Sequence, residues 1–130
     1  MAAPAVIELV TQKGGGDCVI ASLSMILAIP YNEVSKKALT LFEKPHSTGL
    51  SVRDTQRLSK ALVGRLLQSV DAAKIDLDDE TGILFVKLPG DYHAVALFEG
   101  SIFNPADGLL WNRHAYLATK KAHVVRLLRP

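Results

Sequence analysis

The chain has 130 residues, 48% hydrophobic and 22% charged, with a net charge of +2 and a single cysteine. This balance predicts one folded domain over residues 1–130 and excludes a disordered or collagen-like chain. Small net charge and scattered basic residues argue against a nucleic-acid partner. One cysteine excludes an internal disulfide and suits a reducing compartment.

The N-terminal run MAAPAVIELV carries Glu8 and lacks a basic leader region. No secretory leader is expected, and the cytoplasm is the expected compartment. Val6 to Val10 reads as an entry strand or extended arm. Gly14, Gly15 and Gly16 follow as a loop of little intrinsic rigidity. Asp17 is placed to cap a helix whose first residue is Cys18. That helix is apolar almost all round, which predicts a buried central element. The apolar run Val19 to Ile29 falls short of the ~20 residues a bilayer needs, so no membrane span is expected. Pro30 should end the helix.

Asn32 is the expected cap of a second helix, Glu33 to Phe42, buried through Val34, Ala38, Leu41 and Phe42. Ser51 and Asp54 form a capping-box pattern for a third helix ending near Gly64, with Val52, Leu58, Ala61 and Leu62 inside. After Gly64 the texture changes. Arg65–Val70, Ile83–Leu88, Tyr92–Phe98, Ser101–Asn104 and Ala122–Leu128 read as strands. They are separated by turn chemistry at P-G-D (89–91), E-G (99–100) and P-A-D-G (105–108). Trp111 to Thr119 fits either a short helix or an irregular loop. Helices first and antiparallel strands second predict an α+β fold.

A thiol at a helix N-terminus meets free N–H groups and the positive end of the helix dipole, and both favour thiolate. Gln12 lies upstream across the glycine loop, within reach as an oxyanion donor. His93 opens the strand Y-H-A-V-A-L-F. A tight turn at Glu99-Gly100 brings Asn104 near it, though not directly opposite. An amide oxygen there orients one imidazole nitrogen and leaves the other for the thiol. Asp107, in the turn beyond, is the weaker third member. Trp111 is read either as a cover for the His93–Asn104 pair or as core packing. Taken singly, Cys18 reads as a small buried residue, His93 as a strand-end histidine and Gln12 as surface; the case for chemistry is their coincidence. His46, His114 and His123 lack ligand neighbours at metal spacing, so no metal or other cofactor is expected.

The order Gln–Cys–His–Asn, with helices before sheet, resembles the papain-like cysteine peptidases. The stretches Q-K-G-G-G-D-C, H-A-V-A-L-F-E-G-S-I-F-N-P and A-D-G are most similar to the compact bacterial branch that trims bacteriocin leaders after a double glycine. Val19 stands where that branch usually has glycine, and Asn104 where it usually has aspartate. The resemblance implies a papain-like fold with the nucleophile at the start of its central helix. It implies Cys18 as nucleophile, His93 as base and then acid, and Asn104 as orienter. Gln12 and the Cys18 N–H would form the oxyanion hole. The implied substrate is a peptide or protein, in the cytoplasm of a bacterium or a phage-infected cell. A deamidase, a deubiquitinase-like or acyl-transfer enzyme, or a binding module on the same fold remain alternatives.

Overall fold

The computed structural model describes residues 7–46 and 49–130. Three helices come first: α1 (Cys18–Leu27), α2 (Tyr31–Leu41) and α3 (Val52–Val63). Then follow β1 (Gln68–Asp71), a 3-10 turn (Ala72–Lys74), β2 (Gly82–Leu88), β3 (Asp91–Phe98), β4 (Ser101–Asn104), β5 (Leu109–Asn112), α4 (Arg113–Lys120) and β6 (His123–Arg129). The strands form one six-stranded sheet in the order β1-β6-β2-β3-β4-β5, with every pairing antiparallel. The architecture is α+β.

Every residue of α1 except Cys18 is buried, because α1 packs in one core with the sheet, α2 and α3. It stops before the position a proline would enforce. Ala28 takes a left-handed conformation, and the N–H groups of Ala28 and Ile29 both reach Ser24 O. Pro30, not Asn32, then stands at the N-cap of α2; its fixed φ already holds the chain in an extended entry. The capping box of α3 forms as its pattern predicts, Ser51 with Asp54, and Gly64 closes the helix at φ 81°. Within α3, Ala61 is exposed, while Thr55 and Ser59 are buried with Leu58. The small hydroxyl residues fit because Thr55 bonds back to Ser51 O, and Ser59 to Gln56 O and Arg65 O.

Of the expected N-terminal strand, Val6 lies outside the described residues, and Ile7 to Val10 form no regular element. The strand after Gly64 is shorter and later than its pattern suggests. The ambiguous stretch near Trp111 divides into the last residues of β5 and the helix α4, which Asn112 caps by accepting from His114 N and Ala115 N.

Alternation along the strands serves two cores. Ile83, Ala94, Ala96 and Leu128 pack under α1, α2 and α3. Leu84, Val86, Val95, Leu97, Ile102 and Leu127 face the other way, where Tyr116 of α4 closes the layer. Gly82 marks the tightest crossing, since a Cβ there would lie 2.3 Å from Leu128 O. The result is that β3 runs directly against α1, with the first residues of both elements at one edge of the packing. No helix among the described residues is long and apolar enough to cross a membrane.

Candidate active site

The helix start and the strand start meet in a pocket of about 400 Å3. Cys18, Val19, Leu50, Asp54, Phe85, Tyr92 and His93 are among its walls. A larger pocket, about 530 Å3, lies at the other end of α1 between Val10, Met25 and Tyr31; it offers neither a thiol nor an imidazole.

On the β3 side, the ladder sets the geometry. Phe98 pairs with Ser101 and Ala96 with Phe103, so Asn104 falls diagonally across from His93 on one face. His93 Nε2 lies 2.9 Å from Asn104 Oδ1. The same oxygen accepts from Ala106 N at 3.2 Å. A backbone N–H can only donate, so the amide atom it meets is the oxygen. That oxygen cannot donate to His93, so Nε2 carries the hydrogen in the neutral ring. Nδ1 therefore holds the lone pair and is the nitrogen able to take a proton. Asn104 is 2% exposed, which shields the bond from water.

Asp107 is otherwise engaged. Its carboxylate accepts from Leu109 N and Trp111 Nε1, each at 2.9 Å, and lies 3.7 Å from Lys120 Nζ. Asn104, not Asp107, meets the imidazole. Trp111 packs edge-on against Tyr116, with ring centroids 5.8 Å apart, and Lys120 sits over its ring. Among the described residues the Tyr116 hydroxyl is buried without a hydrogen-bond partner, and burial, then the Asp107 charge, push it up to about 12.

The α1 side is held differently. Asp17 occupies the N-cap position, but its side chain does not cap the helix. It turns back and accepts from Lys13 N at 2.8 Å and Gly14 N at 2.9 Å. Tyr31, the first residue of α2, donates its hydroxyl to the same carboxylate at 2.5 Å. Burial opposes ionisation of Asp17, but these donors outweigh it and hold the carboxyl below its ordinary 3.8. Gly16 N donates to His46 O at 3.0 Å. The glycine loop, expected to be pliant, is tied at both ends.

Two site residues depart from expectation. Burial pushes the Cys18 thiol above the ordinary 9.0; the N–H groups of Ala94, Val19 and Cys18 itself pull the other way, and the Asp17 charge adds to the rise. The helix start favours thiolate as expected, but desolvation is the larger effect. Gln12 does not line the pocket. Its backbone N–H donates to Pro105 O at 2.9 Å, which sets it beside the Asn104 corner, while its amide nitrogen donates to Gly14 O at 2.7 Å. A primary amide has two N–H groups, so one remains beyond the Gly14 bond.

Sequence reasoning did not find Tyr31, for which only its place after Pro30 stands out. Nor did it find the backward-facing carboxylate of Asp17, whose signal was an Asx residue closing a glycine run. Among the described residues no group of three or more His, Cys, Asp or Glu is arranged to hold a metal ion. Comparison with known proteins finds no match: no family model, no curated protein and no solved structure matches the chain.

Proposed function

We propose that this chain is a papain-fold cysteine peptidase of the cytoplasm, similar in motif to the bacterial leader-trimming branch, hydrolysing peptide bonds of a peptide or protein substrate. One observation carries the reading: the His93–Asn104 bond fixes the Nε2–H tautomer in a histidine that shares its pocket with Cys18, the first residue of a buried helix.

With burial pushing the Cys18 thiol up, His93 acts as general base during attack rather than as half of a preformed ion pair. The Cys18 S–H proton passes to His93 Nδ1 as sulfur bonds to the carbonyl carbon. The carbonyl electron pair moves to oxygen, which the Gln12 amide and the Cys18 N–H stabilise. The adduct collapses to a thioester, and the leaving amine takes the proton from His93. Water, deprotonated by His93, then attacks the thioester, and the departing thiolate is reprotonated. Asn104 keeps the ring oriented throughout.

Cys18→Ala is expected to abolish cleavage of a fluorogenic peptide library with melting unchanged; a Cys18→Ala protein that still cleaves refutes the reading. A second reading, a peptide-binding module that does not cut, draws on the raised thiol and on the Gln12 amide bonded to Gly14 O. Mass spectrometry of incubated peptides separates the two, and a mass gain without chain cleavage would instead reveal a deamidase.

A further inference from the structure

A buried carboxylate immediately before the nucleophile is an odd choice on electrostatic grounds. Asp17 is 0% exposed, and its charge disfavours a Cys18 thiolate. If it served only to start α1, a serine cap would do so without a charge. Instead the carboxylate leaves the helix N–H groups alone and gathers three donors from elsewhere, Lys13 N, Gly14 N and the Tyr31 hydroxyl. Hydrogen bonds to a charged acceptor are roughly twice as strong as neutral ones. The Lys13 ammonium lies over the Tyr31 ring at 4.9 Å. What the carboxylate holds leads straight to the proposed oxyanion donor. Gly14 gives its N–H to Asp17 Oδ1, and its carbonyl accepts the Gln12 amide. A continuous chain of bonds therefore runs from Tyr31 through Asp17 and Gly14 to Gln12, and Cys18 follows Asp17 directly.

We propose that Asp17 and Tyr31 are positioning residues: Tyr31 clamps the Asp17 carboxylate, and the carboxylate fixes Gly14 so that Gln12 and Cys18 keep a set separation about the reacting carbonyl. This rests on the peptidase reading. It assigns α2, which carries none of the four proposed reacting residues, a part in the chemistry through its first side chain. The glycine run is sparsely packed: among the described residues a Cβ on Gly14 would make only ordinary contact, nearest with His46 O at 3.5 Å, and one on Gly15 would meet nothing within 4 Å. A loop with so little side-chain packing takes its shape from its hydrogen bonds.

Two probes separate nucleophile from oxyanion hole. Iodoacetamide alkylates Cys18 by displacement at a saturated carbon and builds no oxyanion. Acetyl-phenylalanyl-glycinal forms a hemithioacetal: sulfur bonds to the aldehyde carbon, and the thiol proton ends on the oxygen that stands in for the oxyanion. In Tyr31→Phe, aldehyde affinity is expected to fall on the order of tenfold, part of the effect of losing an oxyanion donor. The iodoacetamide rate constant is expected to stay at the wild-type value, and the melting temperature to fall only by the loss of one hydrogen bond to a charged acceptor. Equal aldehyde affinity in Tyr31→Phe and wild type overturns the inference. So does a loss matched by the fall in the alkylation rate constant, which marks a merely structural role. If Tyr31→Phe does not fold, Asp17→Asn, which keeps the volume and one acceptor oxygen, carries the comparison with each aldehyde affinity divided by the same variant's alkylation rate constant, because loss of the charge also acts on the thiol. A wild-type protein that is alkylated but forms no hemithioacetal sinks the peptidase reading itself; one that forms it equally with and without the Tyr31 hydroxyl sinks only the positioning role.

Discussion

The two sides of the Cys18–His93 pocket are built by different means. On the His93 side, a ladder of backbone bonds fixes register, and one asparagine completes the geometry. On the Cys18 side, a buried carboxylate gathers a loop that has no ladder. A ladder spreads its constraint over many bonds, so no single side chain decides where His93 stands. The loop concentrates its constraint on Asp17 and Tyr31. His93 should therefore tolerate changes around it, whereas the loop before Cys18 should be sensitive to single substitutions.

The comparison can be broken from either side. The largest effect after loss of Cys18 is expected from His93→Ala. Turnover should drop ~10²–10⁴-fold, the usual range for a general base, with little change in melting because the strand persists. An active His93→Ala protein would show that the ladder positions nothing of catalytic value. Gln12→Ala should lower turnover on the order of 10²–10³-fold. An unchanged rate would mean that its amide stays on Gly14 O throughout the reaction.

Stability effects are smaller. Asn104→Ala leaves Ala106 N and His93 Nε2–H without their acceptor in a buried corner, and should cost about 1–3 kcal/mol in urea unfolding. Asn104→Asp, which keeps an acceptor, should recover most of it. If both variants unfold alike, the asparagine oxygen does not hold the corner. The smallest effect is one of pH. The folded state holds the Asp17 carboxyl below its ordinary 3.8, so it binds that proton more weakly than the unfolded chain. The resulting stability is fully present above about 3.8 and is lost as pH falls through the folded value. The margin of wild type over Asp17→Asn in acid titration should shrink below 3.8. A margin that stays flat would remove the charge from the account of the loop.

The helix starting at Cys18, the Ser51–Asp54 capping box and the hairpin turns at Gly90 and Gly100 were legible because each is a local pattern. An apolar run, a box at fixed spacing or a residue with positive φ needs only its neighbours to act. Counting back from the Glu99-Gly100 turn was enough to bring Asn104 near His93, because strand register is set by the turn. β5 escaped because Leu109 to Asn112 pairs only with β4, and its exposed Leu109 and Leu110 break the usual alternation.

By itself, then, the sequence determined the helices and the central hairpin strands and their order, because those depend on contacts a few residues away, while β5 and the irregular N-terminal arm depend on distant ones. Only the tertiary structure decided three things about the site: which way the Asp17 carboxylate turns, that Tyr31 meets it, and that burial pushes the Cys18 thiol up. Each depends on burial and on donors brought from another element. Desolvation of the sulfur between α1 and β3, and of the carboxylate against α2, is a property of the packed molecule that no local pattern encodes.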